Sequence, residues 1–232
     1  MLALDTMGPP KAGLPMGEWG LGIDFSHSDM DLLRKTANWS DAENTISVEA
    51  DKIYANVGYG LSDNVTGFVR LGAGQADSDR KTDWTKWGGD GDPGFVWGGG
   101  FKATVIENEK VTWGFLGQFS RGKYSGDAKS SVDGEKAEYD IKMTEMQIAA
   151  GPTYKLSDAI HIYGGPFVYF ADGEYKDTKD DGDKLYKPIE EKNVIGGYVG
   201  VLMNVKEKVD INVEYQDTGK AWAIAGGLTF PF

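Results

Sequence analysis

Residues 221–232 read AWAIAGGLTFPF, a run with no charged side chain in a chain whose formal net charge is -12. It is too short to cross a bilayer as a helix, which takes about 20 apolar residues. Counted in twos it divides cleanly, with Trp222, Ile224, Gly226, Leu228, Phe230 and Phe232 on one face and Ala221, Ala223, Ala225, Gly227, Thr229 and Pro231 on the other. A period of two marks a strand, and one large apolar face opposite a small one fits the closing strand of a barrel.

The same division recurs along the chain. Trp19, Leu21, Ile23 and Phe25 alternate with Gly20, Gly22, Asp24 and Ser26; Ile53, Val57 and Tyr59 oppose Tyr54, Asn56, Gly58 and Gly60. Val69 and Leu71 oppose Phe68, Arg70 and Gly72, and Phe95, Trp97 and Phe101 oppose Gly98, Gly100 and Lys102. Trp113, Phe115 and Phe119 oppose Gly114, Gln118 and Ser120, while Met146, Ile148 and Tyr154 oppose Glu145, Gln147 and Thr153. Ile162, Val168 and Phe170 oppose Tyr163, Phe167 and Tyr169; Val199 and Val201 oppose Tyr198 and Gly200; Ile211, Val213 and Tyr215 oppose Asp210, Asn212 and Glu214. About ten strands result, each near the 9–11 residues of a tilted spanning strand.

Their connections alternate as well. Short turns fall at LSDNV, ENEKV, LSDAI and KEKV, and long polar stretches at 28–45, 76–93, 121–138 and 172–191, with DTGK a short polar exception. This predicts an all-β, antiparallel up-and-down transmembrane β-barrel with short periplasmic turns and longer extracellular loops. An even strand count places both termini in the periplasm. In a soluble lipocalin-like barrel the apolar face would point inward and the small face would meet water, yet that face is rich in Gly and poor in Lys and Glu. Outward aromatics then mark two girdles, Trp19, Tyr59, Trp113 and Tyr154 at one rim and Trp97, Phe170 and Trp222 at the other.

Composition narrows the rest. The acidic balance argues against a nucleic-acid partner, which needs clustered Lys and Arg. With no Cys there is neither disulfide, thiol nucleophile nor thiolate metal site. Residues 1–17 carry Pro9, Pro10 and Pro15 and read as an extended periplasmic tail within reach of the lumen; residues 18–232 form the barrel. The opening residues have neither the basic n-region nor the apolar h-region of a leader, so an exported protein of this sequence has had its signal peptide removed.

The ending Gly227-Leu228-Thr229-Phe230-Pro231-Phe232 resembles the carboxy-terminal assembly signal of small bacterial outer-membrane β-barrels, a glycine, two free positions, then two aromatic or apolar residues flanking one free position. The resemblance implies Gly227, Phe230 and Phe232 as the assembly signal, the barrel-assembly machinery as a partner, and pairing of the last strand with the first. Ala225 departs from it, since the pattern favours a polar residue there. Pro231 is unusual in a strand and is tolerated only where its backbone lies beyond the ladder's end.

The inward face carries Asp24, Arg70, Lys102, Glu145, Asp210, Asn212 and Glu214. Heights counted from the short turns set Arg70 level with Asp24 and Glu214, and Lys102 near Asp210 and Asn212, so a charge-paired plug is expected to fill the lumen. The inward glycines argue the other way, for a gap along one wall. Catalysis has little support: His27 lies near the outer rim but points outward, and His161 starts near a short turn. Asp90, Asp92, Asp177 and Asp181 are calcium candidates on Gly-rich acidic loops, but with Gly182 at the sixth position of a calcium loop the third falls on Lys179 and the twelfth on Pro188, so solvated turns are the simpler reading. Trp39, Trp84 and Trp87 stand on long loops, where an aromatic needs packing or a partner. The expectation is therefore a non-enzymatic barrel without cofactor, set in outer-membrane lipid and acting structurally or at the cell surface through acidic loops. Self-association through flat patches at 99–103 or 164–166 is a further expectation, and a narrow porin-like channel is the alternative.

Overall fold

A computed structural model describes residues 4–34, 45–81, 86–130, 136–179, 184–191, 195–205 and 209–232. They form twelve antiparallel strands and, among the described residues, no helix: β1 (Trp19–Arg34), β2 (Thr45–Ser62), β3 (Val65–Lys81), β4 (Lys86–Asp92), β5 (Gly94–Glu107), β6 (Val111–Ser130), β7 (Lys136–Lys155), β8 (Ile160–Lys179), β9 (Lys184–Glu191), β10 (Ile195–Val205), β11 (Val209–Asp217) and β12 (Ala221–Pro231). β4 and β5 occupy one place in the wall, both lying between β3 and β6 and separated at Pro93, which has no amide to give a ladder. β9 and β10 likewise share the place after β8. The wall thus has ten positions, and β12 closes it on β1 through a register running from Gly20↔Pro231 to Met30↔Ala221.

The expected parity is the observed one. Leu21, Ile23, Phe25, Val69, Leu71 and Val213 point out and are exposed, while Ser26, Tyr54, Arg70, Gln118, Glu145 and Glu214 point in and are buried. Pro231 does not lie beyond the ladder with β1, because Phe232 continues it: the Phe232 amide donates to the Trp19 carbonyl (2.9 Å) and the Trp19 amide to that of Phe232 (3.1 Å). Its missing amide is tolerated because Gly20↔Pro231, next to that reciprocally bonded pair, is a non-hydrogen-bonded pair. The lost donor faces the β11 side, where the described register begins only at Asp210↔Thr229.

The long loops are the main correction. Much of 28–45, 76–93, 121–138 and 172–191 continues the strands: β6 and β7 stay in register from Val111↔Tyr154 to Lys129↔Lys136, and β1 and β2 from Trp19↔Tyr59 to Leu33↔Thr45. The short β11–β12 turn ends low, and above it β9 pairs directly with β1, from Leu32↔Glu191 to Arg34↔Ile189. The barrel therefore narrows from ten strands to eight at its long-hairpin end.

The wall's polarity inverts at the same level. Beyond the outer girdle Glu49, Asp51, Asp77, Asp92, Asp127, Lys142 and Glu174 face outward and are exposed. Met30, Val48, Ala50, Ala76, Tyr124, Tyr139, Ile141 and Met143 face inward, each no more than 1% exposed. An eight-stranded ring is just wide enough for side chains to fill. Here they make a dry core, with the Tyr139 hydroxyl donating to the Ala76 carbonyl at 2.7 Å.

Candidate functional site in the barrel lumen

Below the apolar core, residues 4–17 run inside the barrel from mid-height to the short-turn rim. Leu4, Met7 and Leu14 are buried there. The segment leaves through a backbone clasp in which the Gly17 amide donates to the Gly60 carbonyl (2.9 Å) and the Gly60 amide to the Glu18 carbonyl (2.9 Å). It has no ladder of its own, so wall side chains satisfy its amides. Met7 and Gly8 donate to the two carboxylate oxygens of Glu214 (2.6 and 2.8 Å), Ala12 to Thr104 Oγ1 (3.1 Å), and Gly13 and Leu14 to Thr66 Oγ1 (3.1 Å each). Inward glycines make its groove: a Cβ at Gly60 would run into the Pro15 carbonyl, and one at Gly114 into that of Pro10. The chain itself fills the expected gap along one wall beside Gly60, while Gly20, Gly22 and Gly58 line a space that stays open.

At the segment's inner end Asp5 anchors a charge network. Its Oδ1 accepts from Lys52 Nζ and the Tyr54 hydroxyl (3.1 Å each), and its Oδ2 from Arg70 Nη2 at 2.8 Å. Lys52 also bonds Glu145, whose other oxygen accepts from Tyr169 (2.7 Å). Lys52, Asp5 and Glu145 have side chains 0–3% exposed, and the Arg70 guanidinium lies 4.7 Å from the centroid of the Tyr54 ring. Two cations and two anions cancel here, which a buried charge requires. Gln118, Gln147 and Gln216 continue the layer, with Gln216 donating to the Asp5 carbonyl (2.9 Å).

The structure brings Arg70 and Glu145 together through Asp5 and Lys52, two residues the sequence reading did not place. The heights had offered Arg70 the carboxylates Asp24 and Glu214; the ion pair it forms is with Asp5. Asp24 is hydrogen-bonded by Asn56, Glu214 by the segment's amides, Tyr163 (2.9 Å) and Gln216 (2.8 Å), and Asp210 by Asn204. Lys102 forms no ion pair or hydrogen bond among the described residues; it lies against Gly8 beside Asn212. Beside it a cavity of about 270 Å³ separates the segment from the wall, lined by Asp24, Asn56, Lys102, Asn204, Asp210 and Asn212 with Leu14, Phe68 and Leu202.

Signals for the missed residues did exist. Lys52 shares the inward parity of Tyr54 and Asn56, and Asp5 is the only charged residue among the first ten.

His27 points outward at the upper girdle, its Nδ1 2.9 Å from Asp51 and its ring 5.5 Å from that of Trp222. Trp19, Tyr59, Trp97, Trp113, Tyr154 and Phe170 all project outward and are exposed, Trp19 packing on Tyr59 at 4.7 Å. Phe230 and Phe232 do likewise, whereas Gly227 faces inward beside Asp24 and Asn212. Of the calcium candidates, Asp92 is exposed on β4, Asp181 lies outside the described residues, and the side chains of Asp90 and Asp177 are not described either. Among the described residues no three potential ligands gather as a metal site would require. Trp39 and Trp84 also lie outside the described residues, and Trp87 is placed by its backbone alone, on β4.

A closed ten-position antiparallel barrel with a lipid-facing apolar belt is the architecture of bacterial outer-membrane β-barrels, and known structures agree. The chain is similar in fold to the outer membrane protease OmpT of Escherichia coli, at 9% identity over 95% of this chain and 99% of that one, with a TM-score of 0.61. It is similar also to the translocator domain of the autotransporter NalP of Neisseria meningitidis (11% identity, 95% and 90% covered, TM-score 0.52) and to an outer membrane channel of Pseudomonas putida F1 (11%, 98% and 99%, TM-score 0.50). No protein-family model matches the sequence, and no curated protein does. At these identities the likeness is one of fold.

Proposed function

We propose that the protein is a non-conducting barrel of the bacterial outer membrane, with both termini in the periplasm, and that it works through the surface of its eight-stranded extension. The observation that carries this is the inverted core, in which Met30, Val48, Tyr139, Ile141 and Met143 fill the narrow end with apolar side chains. Water and ions do not follow an apolar packed core. Outside that core the extension is continuous strand ladder, and its carboxylates at Glu49, Asp77, Asp127 and Glu174 favour partners with basic surfaces. Outer-membrane lipid covers the belt between the girdles, and the barrel-assembly machinery reads the strand ending at Phe232. Each of the two patches considered for self-association, 99–103 and 164–166, puts one exposed residue on the outer face, Phe101 and Pro166. A non-enzymatic role agrees with the outward placement of His27, away from any enclosed space.

The second reading, a narrow channel, draws on the cavity in the short-turn half of the lumen. Single-channel recording of the refolded protein in a planar bilayer separates the two. Absence of steady current supports the closed barrel; steady current in the unmodified protein defeats it.

A further inference from the structure

The lumen treats its cations unequally. Lys52 and Arg70 are held by carboxylates, but Lys102 has no bonded partner among the described residues and projects into space beside the segment. A half-buried ammonium with no partner on the protein is left to be completed by water or by a ligand. Across the same cavity stands Asp24, half-buried; Asn56 donates to one of its oxygens, which leaves the other as an acceptor.

The cavity therefore presents a donor on one side, Lys102 Nζ, and an acceptor on another, the Asp24 carboxylate. A plain anion would meet the field of Asp24, Asp210 and Glu214 around Lys102, and a plain cation would meet Lys102 itself. A molecule carrying both charges matches both sides. At about 270 Å³ the space is below the range of drug-sized ligand pockets, roughly 300–1,000 Å³, and Leu14, Phe68 and Leu202 add apolar wall. Access is from the short-turn end, where Gly13 is exposed and Asn204 and Asp210 are half-buried.

We infer that this cavity binds a small zwitterion of the amino-acid type, its carboxylate on Lys102 and its ammonium on Asp24. Binding requires no passage through the barrel, so it stands whether or not the lumen conducts.

The test is calorimetric titration of the full chain, refolded in detergent micelles, with L-alanine, propionate and ethylamine as separate probes. L-alanine is expected to bind saturably and at least tenfold more tightly than either single-charge probe. Lys102→Met is expected to weaken it at least tenfold while the barrel keeps its heat-resistant folded mobility on gels, and Asp24→Asn to weaken it independently. No saturable heat with L-alanine, meaning a cavity that holds water only, would overturn the inference. So would equal binding of propionate, or unchanged affinity in both variants.

Discussion

Along β2, Ile53, Val57 and Tyr59 face lipid while Tyr54 and Asn56 face the lumen; a few residues earlier Glu49 and Asp51 face outward while Val48 and Ala50 face in. One continuous strand follows two opposite rules. In the belt the solvent outside is hydrocarbon, so the outward face is apolar and the enclosed face holds paired charges and the polar backbone of residues 4–17. In the extension the solvent outside is water, so the outward face is acidic and the hydrophobic effect again drives side chains inward, as in a small soluble barrel. The two regions close the lumen by different means, the belt by ion pairs and a threaded segment, the extension by dry packing.

Substitutions placed in matched positions can break this comparison. The largest effect is expected from Lys52→Met, which leaves Asp5 and Glu145 facing each other without their shared cation; removing one member of a buried network costs about 3–5 kcal/mol. Denaturant unfolding followed by tryptophan fluorescence measures it, and a loss below about 1 kcal/mol would mean the network is hydrated. Ile141→Ala, in the dry core of the extension, is expected to cost about 2–5 kcal/mol. Its signature is faster hydrogen exchange confined to the extension, with the belt unchanged. Val69→Arg puts a charge in the middle of the lipid-facing belt and should cost about 2–4 kcal/mol, whereas Asp77→Arg, on the same strand and also outward, should cost only about 1 kcal/mol, the net worth of the hydrogen bond its carboxylate accepts from the Gly91 amide. Equal costs at the two positions would remove the boundary between the regions. The smallest effect belongs to Lys102→Met, expected to change stability by about 1 kcal/mol or less because no ion pair is lost.

The belt was legible because it obeys the rule used to find it. Large apolar residues at Ile23, Val69, Phe115 and Leu228 alternate with small or polar ones, and that parity placed Asp24, Arg70, Glu145 and Glu214 inside. The extension was read as loop because its apolar residues fall on the other parity: in TISVEADK the large outward residue is missing and Val48 and Ala50 sit where polar residues were expected. Once lipid no longer fixes which face is apolar, the same ladder reads as irregular polar sequence. Asp5 escaped for a different reason. A segment with Pro9, Pro10 and Pro15 has no period, and nothing local announces that its carboxylate meets Lys52, 47 positions on in sequence.

The central claim is that the lumen is sealed at the narrow end by packing and not only by the threaded segment. Planar-bilayer recording of the full chain beside a variant lacking residues 1–13 tests it most directly. The account predicts no steady current from either, since Met30, Val48, Tyr139, Ile141 and Met143 stay in place when the segment is gone. Steady current from the shortened chain alone would make residues 4–17 the true seal, and current from both would contradict a closed barrel altogether.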